Sequence, residues 1–283
     1  MKLTIVYNPK SGSSMNKQDI LDLCKKHGVS VQRLIAISPQ LKKDLASIVR
    51  SGGHIAAIGG DGTVSAVAGI IAGTSAVLIP LPGGTLNNFT KTLDIPQDVD
   101  EALGRALQSK PRRIDIASVN GMYFINNSSV GLYPRALRHR EQLESVMGKW
   151  PAAAVGLYRA LFRFRLYQIS INGQDLTTSF VFVGNNDYKL EQSPQAVRDR
   201  LDGGVLSIYV VKSSRRIDLL KIFIASLMRR LDVVESFDYY KTKKLVIATK
   251  KVRTISVSHD GEVTKVATPL TYQIHAKTLN VLF

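Results

Sequence analysis

The sequence predicts an α/β protein of two parts: a parallel sheet layered with helices over residues 1–112, then an antiparallel, β-rich, sandwich-like part over 113–283. In the first part, apolar strand-like runs alternate with helical patterns, and such alternation requires crossovers between parallel strands covered on both faces. From about residue 110 the rhythm changes, and strand-like runs are joined by Asn-Gly and Asp-Gly pairs suited to type I′ hairpin turns. A chain of 283 residues is also long for one ordinary domain and comfortable for two.

The elements follow in order. KLTIVYN is a buried strand that stops at the turn NPKSGSS; an amphipathic helix through Ile20, Leu23 and Cys24 ends at His27-Gly28. VSVQRLIAIS is a second strand, and PQLKKDLASIVRSG a helix with proline in its first turn and glycine at its end. HIAAIGG, GTVSAVAGIIAG and SAVLIPLPGG read as strand, helix and strand, and TLNNFTKTLDIP and QDVDEALGRALQS as two further helices. Hairpins are expected at Asn120-Gly121 and Asn172-Gly173, followed by the strands GVLSIYVV, KLVIAT, VRTISVSHDGEVTKV, LTYQIH and TLNVLF. Two helical stretches, around 133–165 and 215–230, interrupt this second part.

Composition narrows the partners. The lone Cys24 rules out an intrachain disulfide framework and fits a reducing cytoplasm. The start, MKLTIVYNPK, does not read as a secretory signal, because its apolar stretch is short and Asn8-Pro9 stops it. No charge occurs between Asp61 and Lys91, but Gly73-Thr74-Ser75 divides the stretch, so a buried helix and a buried strand explain it better than a membrane span. The net charge of +16 suits an anionic membrane surface or a phosphorylated ligand. No RNP, zinc-finger or arginine-rich signature favours nucleic acid.

Gly59, Gly60 and Gly62 stand between a strand and a helix, where the backbone approaches a ligand closely and free N–H groups favour an anion. The spacing misses the dinucleotide fingerprint, since Ser65 stands where its last glycine belongs, and no segment matches the G-x-x-x-x-G-K-[ST] phosphate loop. Taken alone, this turn reads equally well as a plain strand–helix connection. A second such loop, with Gly83, Gly84 and Thr85, falls one crossover downstream. Together with Asn8–Gly12, both loops are expected to border one crevice at the carboxyl ends of the strands.

The motifs NPKSG (8–12), GGDGT (59–63), PGGTLNNF (82–89), LDGG (201–204) and HDGE (259–262), in this order, resemble the diacylglycerol kinase catalytic family, which includes bacterial lipid kinases, sphingosine kinases and ceramide kinases. The resemblance covers nearly the whole chain; GGDGT alone also occurs in NAD kinase and phosphofructokinase relatives. It implies an N-terminal nucleotide-binding domain for ATP and a lipid acceptor in the cleft between domains. It also implies a nucleotide site of Asn8, Pro9, Ser11, Gly12, Gly59, Gly60, Gly62, Thr63, Gly84 and Thr85, with Ser38 as a looser match. A carboxylate beside a triphosphate is repelled unless a cation lies between them, and phosphoryl-transfer sites use Mg²⁺ for that purpose. Asp61 is therefore expected to face Mg·ATP or the acceptor hydroxyl.

The C-terminal carboxylates carry two readings each. Asp260-Gly261 is a strong hairpin signal, which makes Glu262 an ordinary strand residue. The resemblance instead makes Glu262 the general base toward the lipid hydroxyl, with Asp260 supporting it or the metal. A carboxylate in hydrogen-bond reach can take a hydroxyl proton as the O–P bond forms. Similarly, Asp199 and Asp202 in RDRLDGG read as a surface turn, whereas the resemblance makes Asp202 a ligand of a structural Mg²⁺ with Asp199 and Gly204 at matching offsets. The preceding VGNNDYKLEQSPQAV departs from the family by lacking its run of glycines. Trp150, His54, His259 and His275 read as packing or incidental residues.

Two basic amphipathic stretches complete the reading. PAAAVGLYRALFRFR carries Arg159, Arg163 and Arg165, close to Arg135, Arg138, Arg140 and Lys149; RRIDLLKIFIASLMRR is bracketed by Arg215, Arg216, Arg229 and Arg230. Their apolar faces suit packing on a sheet, and their cations suit peripheral contact with an anionic bilayer. The expected activity is ATP- and Mg²⁺-dependent phosphorylation of a hydroxyl on diacylglycerol or a related lipid. A soluble-substrate kinase of the NAD kinase kind and a catalytically weak lipid-binding module stay open beside it.

Overall fold

A computed structural model describes residues 1–9, 11, 15–131, 166–189, 197–198, 200–211, 237–250 and 252–283. Its first part runs β1 (Lys2–Tyr7), α1 (Lys17–Lys26), β2 (Ser30–Ala36), α2 (Leu41–Arg50), β3 (His54–Gly59), α3 (Asp61–Ile71), β4 (Val77–Pro82), α4 (Asn88–Thr92) and α5 (Val99–Gln108). There follow β5 (Arg112–Val119), β6 (Met122–Phe124), β7 (Asn127–Gly131), β8 (Tyr167–Ile171), β9 (Gln174–Thr178), β10 (Phe180–Asn185), β11 (Tyr188–Lys189) and β12 (Val197–Arg198). The chain then continues through β13 (Leu206–Val211), β14 (Phe237–Thr242), β15 (Lys244–Thr249), β16 (Thr254–His259), β17 (Glu262–Ala267) and β18 (Leu270–Val281).

Local sequence explains the helices. Asn16 caps α1 in a reciprocal box with Asp19, and the Asp98 carboxylate accepts from the N–H groups of Asp100 and Glu101 at the start of α5. Ile20, Leu23 and Cys24 bury one face of α1, as their spacing requires. The uncharged stretch resolves into α3, a turn at Gly73 (φ +75°) and β4. Every residue of β4 is buried, as expected of a parallel strand covered on both sides. Among the described residues, no helix is long and apolar enough to cross a membrane.

A ten-stranded sheet has the order β2-β1-β3-β4-β18-β15-β8-β9, with β5 on β18 and β6 on β5. Its β2-β1-β3-β4 portion is parallel. Because β2 lies on one side of β1 and β3 on the other, the order reverses at β1, where a crevice opens beyond the strand ends. The chain's last strand returns to this sheet: β18 runs parallel to β4, with Asn280 opposite Val77, and antiparallel to β5. LTYQIH and TLNVLF are therefore one strand; its register shifts between His275 and Leu279, and Lys277 there has φ +54°. A separate antiparallel sheet has the order β14-β13-β10-β7-β16-β17.

The Asn-Gly hairpins form as read: Asn120-Gly121 and Asn172-Gly173 all take positive φ, joining β5 to β6 and β8 to β9. The helix expected over TLNNFTKTLDIP is confined to the five residues of α4. The helical stretches expected around 133–165 and 215–230 lie outside the described residues, with Trp150 and the cations assigned to membrane contact. One core packs the helices against the parallel strands, and a second fills the space between the sheets, with Phe124 and Tyr272 fully buried edge to face. Helix α3 lies between the parallel strands and the β5–β6 hairpin; a Cβ on Gly69 would meet that of Tyr123 at 3.3 Å. The first turns of α3 meet the second sheet through Ser65, whose hydroxyl donates to Asp260.

Candidate functional site

Four sequence segments meet at the carboxyl edge of the parallel strands. Asn8 N–H donates to Ile58 C=O at 3.2 Å, and Ile37 N–H to Tyr7 C=O at 2.9 Å, so the loops after β1, β2 and β3 lie side by side. Pro9 is exposed, Ser11 folds back to donate to Asn8 C=O at 3.0 Å, and Ser38 accepts from Gln40 N–H at 3.2 Å in an exposed turn before α2. Gly12 is outside the described residues.

The two glycine loops touch backbone to backbone. A Cβ on Gly84 would overlap the Gly60 Cα, and one on Gly83 would sit 2.8 Å from Gly59 N, so neither position tolerates a side chain without moving main chain. Gly60 caps α3 without a side-chain acceptor, and the N–H groups of Asp61 and Gly62 have no partner among the described residues. Thr63 is 3 % exposed, and its side chain fills the space that a Cβ on Gly59 would need. Thr85 is exposed at the loop tip, and the Asn87 Oδ1 accepts from Gly84 N–H at 2.9 Å. Beyond Gly83 and Asn87, a cleft of about 600 Å³ opens between α1 and the start of α5.

Asp61 has a local partner that its sequence context does not announce. Its Oδ1 accepts from Phe89 N–H at 2.8 Å and its Oδ2 from Asn88 N–H at 3.0 Å. The carboxylate thus caps α4 from 27 residues upstream, joining the two glycine loops.

The β16–β17 hairpin brings the second sheet to this point. Its turn, Asp260 (φ +43°) and Gly261 (φ +87°), has the two positive φ values of a type I′ turn. The Asp260 carboxylate accepts from Ser65 Oγ at 2.5 Å and from the N–H groups of Ile125 at 2.7 Å, Asn126 at 2.8 Å and Asn127 at 3.2 Å. Burial pushes this carboxyl above the usual Asp value, the donors pull against that, and the nearby Asp61 charge adds to it. Glu262, two residues on, is exposed, and a Cβ on Gly62 would lie 3.4 Å from its Oε1. Between α3, Tyr123 and the hairpin lies a cleft of about 230 Å³, with Gly62, Asp260 and Glu262 on its wall.

The LDGG turn lies apart from this cleft. Asp202 pairs with Arg200 at 3.2 Å, which lowers its carboxyl below the usual value, and Lys277 acts in the same direction. Gly204 (φ +67°) donates its N–H to the Asp115 Oδ2 at 2.6 Å, and Lys277 N–H donates to Asp115 Oδ1 at 2.7 Å. Asp199 lies outside the described residues. Among the described residues, no group of three His, Cys, Asp or Glu side chains is placed to hold a metal ion.

Sequence reasoning passed over Asn126 and Arg198. RDR reads as a surface turn with alternating charges, yet Arg198 is 5 % exposed. Its Nη1 donates to Ile125 C=O at 2.7 Å and its Nη2 to Asn126 Oδ1 at 3.0 Å, and the guanidinium lies 4.9 Å from the Tyr188 ring. Burial pushes the Tyr188 phenol up to about 12; the charges of Arg198, Asp260 and Asp61 all act on it. The signal available in the sequence was the run FINNSSV, in which four polar residues interrupt a strand pattern.

Comparison with known proteins agrees with the motif reading. Residues 2–119 match the family described as the diacylglycerol kinase catalytic domain. A diacylglycerol kinase of Staphylococcus saprophyticus is 25 % identical over 268 residues, covering 90 % of this chain and 84 % of that protein. In other relatives the match is shorter, down to 36 % of the length of a Pseudomonas syringae protein. The crystal structure of a diacylglycerol kinase from Bacillus anthracis superposes with a TM-score of 0.69 at 22 % identity, covering 100 % of this chain and 96 % of that one. An NAD kinase from Archaeoglobus fulgidus, in complex with ATP, shares the fold more distantly, with a TM-score of 0.55 at 13 % identity over 100 % of this chain and 94 % of that one.

Proposed function

We propose that this chain, whose residues 2–119 match the diacylglycerol kinase catalytic domain, transfers the terminal phosphoryl group of ATP to a hydroxyl of diacylglycerol or a closely related lipid. The observation that supports this reading best is the approach of Glu262 to Gly62. It sets an exposed carboxylate from one sheet against a phosphate-type glycine loop from the other. The unpartnered N–H groups of Asp61 and Gly62 suit phosphate oxygens at a helix start, and the bare approach of Gly60 to Gly84 leaves the backbone free to close on them. The larger cleft beyond Gly83 provides room for the rest of a nucleotide.

Mg²⁺ ordinarily binds through one or two carboxylates plus phosphate oxygens, so Asp61, carried by the first glycine loop, would fit it without a three-carboxylate cluster, leaving Glu262 for the proton. When bound with ATP, it neutralises phosphate charge. The protein's part is then to hold the acceptor and move one proton. Glu262 takes the hydroxyl proton as the lipid oxygen attacks phosphorus, and Asp61 is anchored by the N–H groups of Asn88 and Phe89. Asp260 fixes the hairpin that carries Glu262.

The +16 net charge fits work at an anionic lipid surface, where each nearby cation contributes about 1 kcal/mol of attraction. The test is transfer of label from γ-labelled ATP to a panel of diacylglycerol, a sphingoid base, a monoacyl lipid and NAD. Label in an extractable lipid supports the proposal. Label in NAD alone supports the soluble-substrate reading.

A further inference from the structure

Asn126 touches the charged centre on three sides. Its backbone N–H donates to Asp260, its Nδ2 donates to the Asp61 Oδ1 at 3.3 Å, and its Oδ1 accepts from Arg198 Nη2 at 3.0 Å. The side chain is 4 % exposed, so this amide exchanges little with water. Chemistry fixes its orientation: a guanidinium only donates, an ionised carboxylate only accepts, and an amide must turn its oxygen to the first and its NH₂ to the second.

Arg198 is equally constrained. It donates to two backbone carbonyls, Ile125 at 2.7 Å and Asn185 at 3.2 Å, and its buried Nε has no partner among the described residues. Among the described residues no carboxylate pairs with it directly. A buried cation without a contacting counter-ion is costly unless its charge is answered nearby. Two carboxyl groups lie one residue further on, Asp260 on the Asn126 backbone N–H and Asp61 on its side-chain amide. Only the link to Asp61 runs through the amide that Arg198 orients.

Resting on the kinase reading above, we propose that Asn126, oriented by Arg198, is a positioning residue that holds the Asp61 carboxylate in its working direction. Asp61 is secured from below by the start of α4 and from the side by Asn126. Two of its three donors come from the first part of the chain and the third from the second. The relay therefore ties the aim of Asp61 to correct seating of the second sheet against α3. Among the described residues the Asn126 side chain meets the glycine loops only through the Asp61 carboxylate, so its proposed effect is on transfer more than on nucleotide affinity.

The decisive variant is Asn126→Asp. It keeps an oxygen for Arg198, gaining an ion pair, but replaces the donor to Asp61 with a second carboxylate. The expected result is an unfolding midpoint close to the parent's, kcat reduced at least tenfold and KM for ATP changed less than twofold. Parental kcat in a folded Asn126→Asp protein overturns the proposal, as does a loss confined to KM. Should that variant fold poorly, Asn126→Ala and Arg198→Lys are combined. A working relay predicts that their losses in kcat do not add, because either change breaks the same link; additive losses overturn it. If the parent phosphorylates none of the lipids, the kinase reading fails on its own. The relay is then read from unfolding midpoints of Asp61→Ala, Asn126→Ala and the double variant, where non-additive shifts support it and additive shifts refute it.

Discussion

Asp260 lies in one hairpin turn and Glu262 opens the strand that leaves it, and their surroundings are opposite. Asp260 is wrapped by four donors, three of them consecutive backbone N–H groups, and ties the hairpin to α3 through Ser65. Glu262 is exposed and leans over Gly62. A carboxylate whose lone pairs are filled by main-chain donors builds structure; one left open beside a phosphate-type loop is available for proton transfer. On the proposed function, two acidic residues in one motif divide construction from chemistry. Asp61 lies between these extremes, half-buried and holding the start of α4.

Removing the constructing carboxylate is expected to have the largest effect on stability. Asp260→Ala leaves the Ser65 hydroxyl and three N–H groups without their acceptor, and each buried unsatisfied group costs about 1–3 kcal/mol. A loss of about 3 kcal/mol or more is expected in denaturant unfolding; a loss below about 1 kcal/mol would show that water replaces the clasp. Acidity sharpens this. Because the folded protein raises the Asp260 carboxyl, it keeps that proton at pH values where the unfolded chain has released it. Stability from this group is fullest below the ordinary Asp value and declines as pH rises toward the raised one. The stability advantage of the parent over Asp260→Asn should shrink through that window, and a widening advantage would reverse the assignment.

Next in size is the contact between the glycine loops. Gly84→Ala places a methyl group onto the Gly60 backbone, and overpacking of this kind costs about 1–3 kcal/mol. Parting the loops should also weaken ATP binding by roughly tenfold, which corresponds to about 1.4 kcal/mol. Calorimetric titration checks this; unchanged affinity would mean that nucleotide does not use the paired loops. The smallest effect is expected at Asp202→Asn. It removes one ion pair with an arginine that is 72 % exposed, and such pairs contribute little. The unfolding midpoint should stay at the parent's value with or without Mg²⁺. A large Mg²⁺-dependent difference would instead make the LDGG turn a cation site.

The sequence made the architecture legible where the signals are local. Asn120-Gly121, Asn172-Gly173 and Asp260-Gly261 each specify a turn through their own backbone freedom, and all three take it. The glycine loops were equally plain, because steric approach is written into the residue type. What escaped was set by partners distant in the chain. Asp61 caps a helix 27 residues away, Asp260 collects N–H groups more than 130 residues upstream, and Arg198 is buried among Ile125, Asn126, Asn185 and Tyr188. Charge alternation in RDR suggested solvent, and no local pattern separates a surface arginine from one that closes a polar network. Asp115, which organises LDGG from 89 residues upstream, was hidden for the same reason.

The most direct measurement compares Glu262→Gln with Asp260→Asn in one experiment, reading transfer of label from γ-labelled ATP to dispersed diacylglycerol beside the unfolding midpoint. Glu262→Gln should keep the parental midpoint and lose about 10²–10⁴ in kcat, the usual contribution of general-base catalysis. Asp260→Asn should instead lose its midpoint by several degrees. Parental turnover in a folded Glu262→Gln protein would contradict the account, leaving Glu262 an ordinary strand residue and the base unassigned.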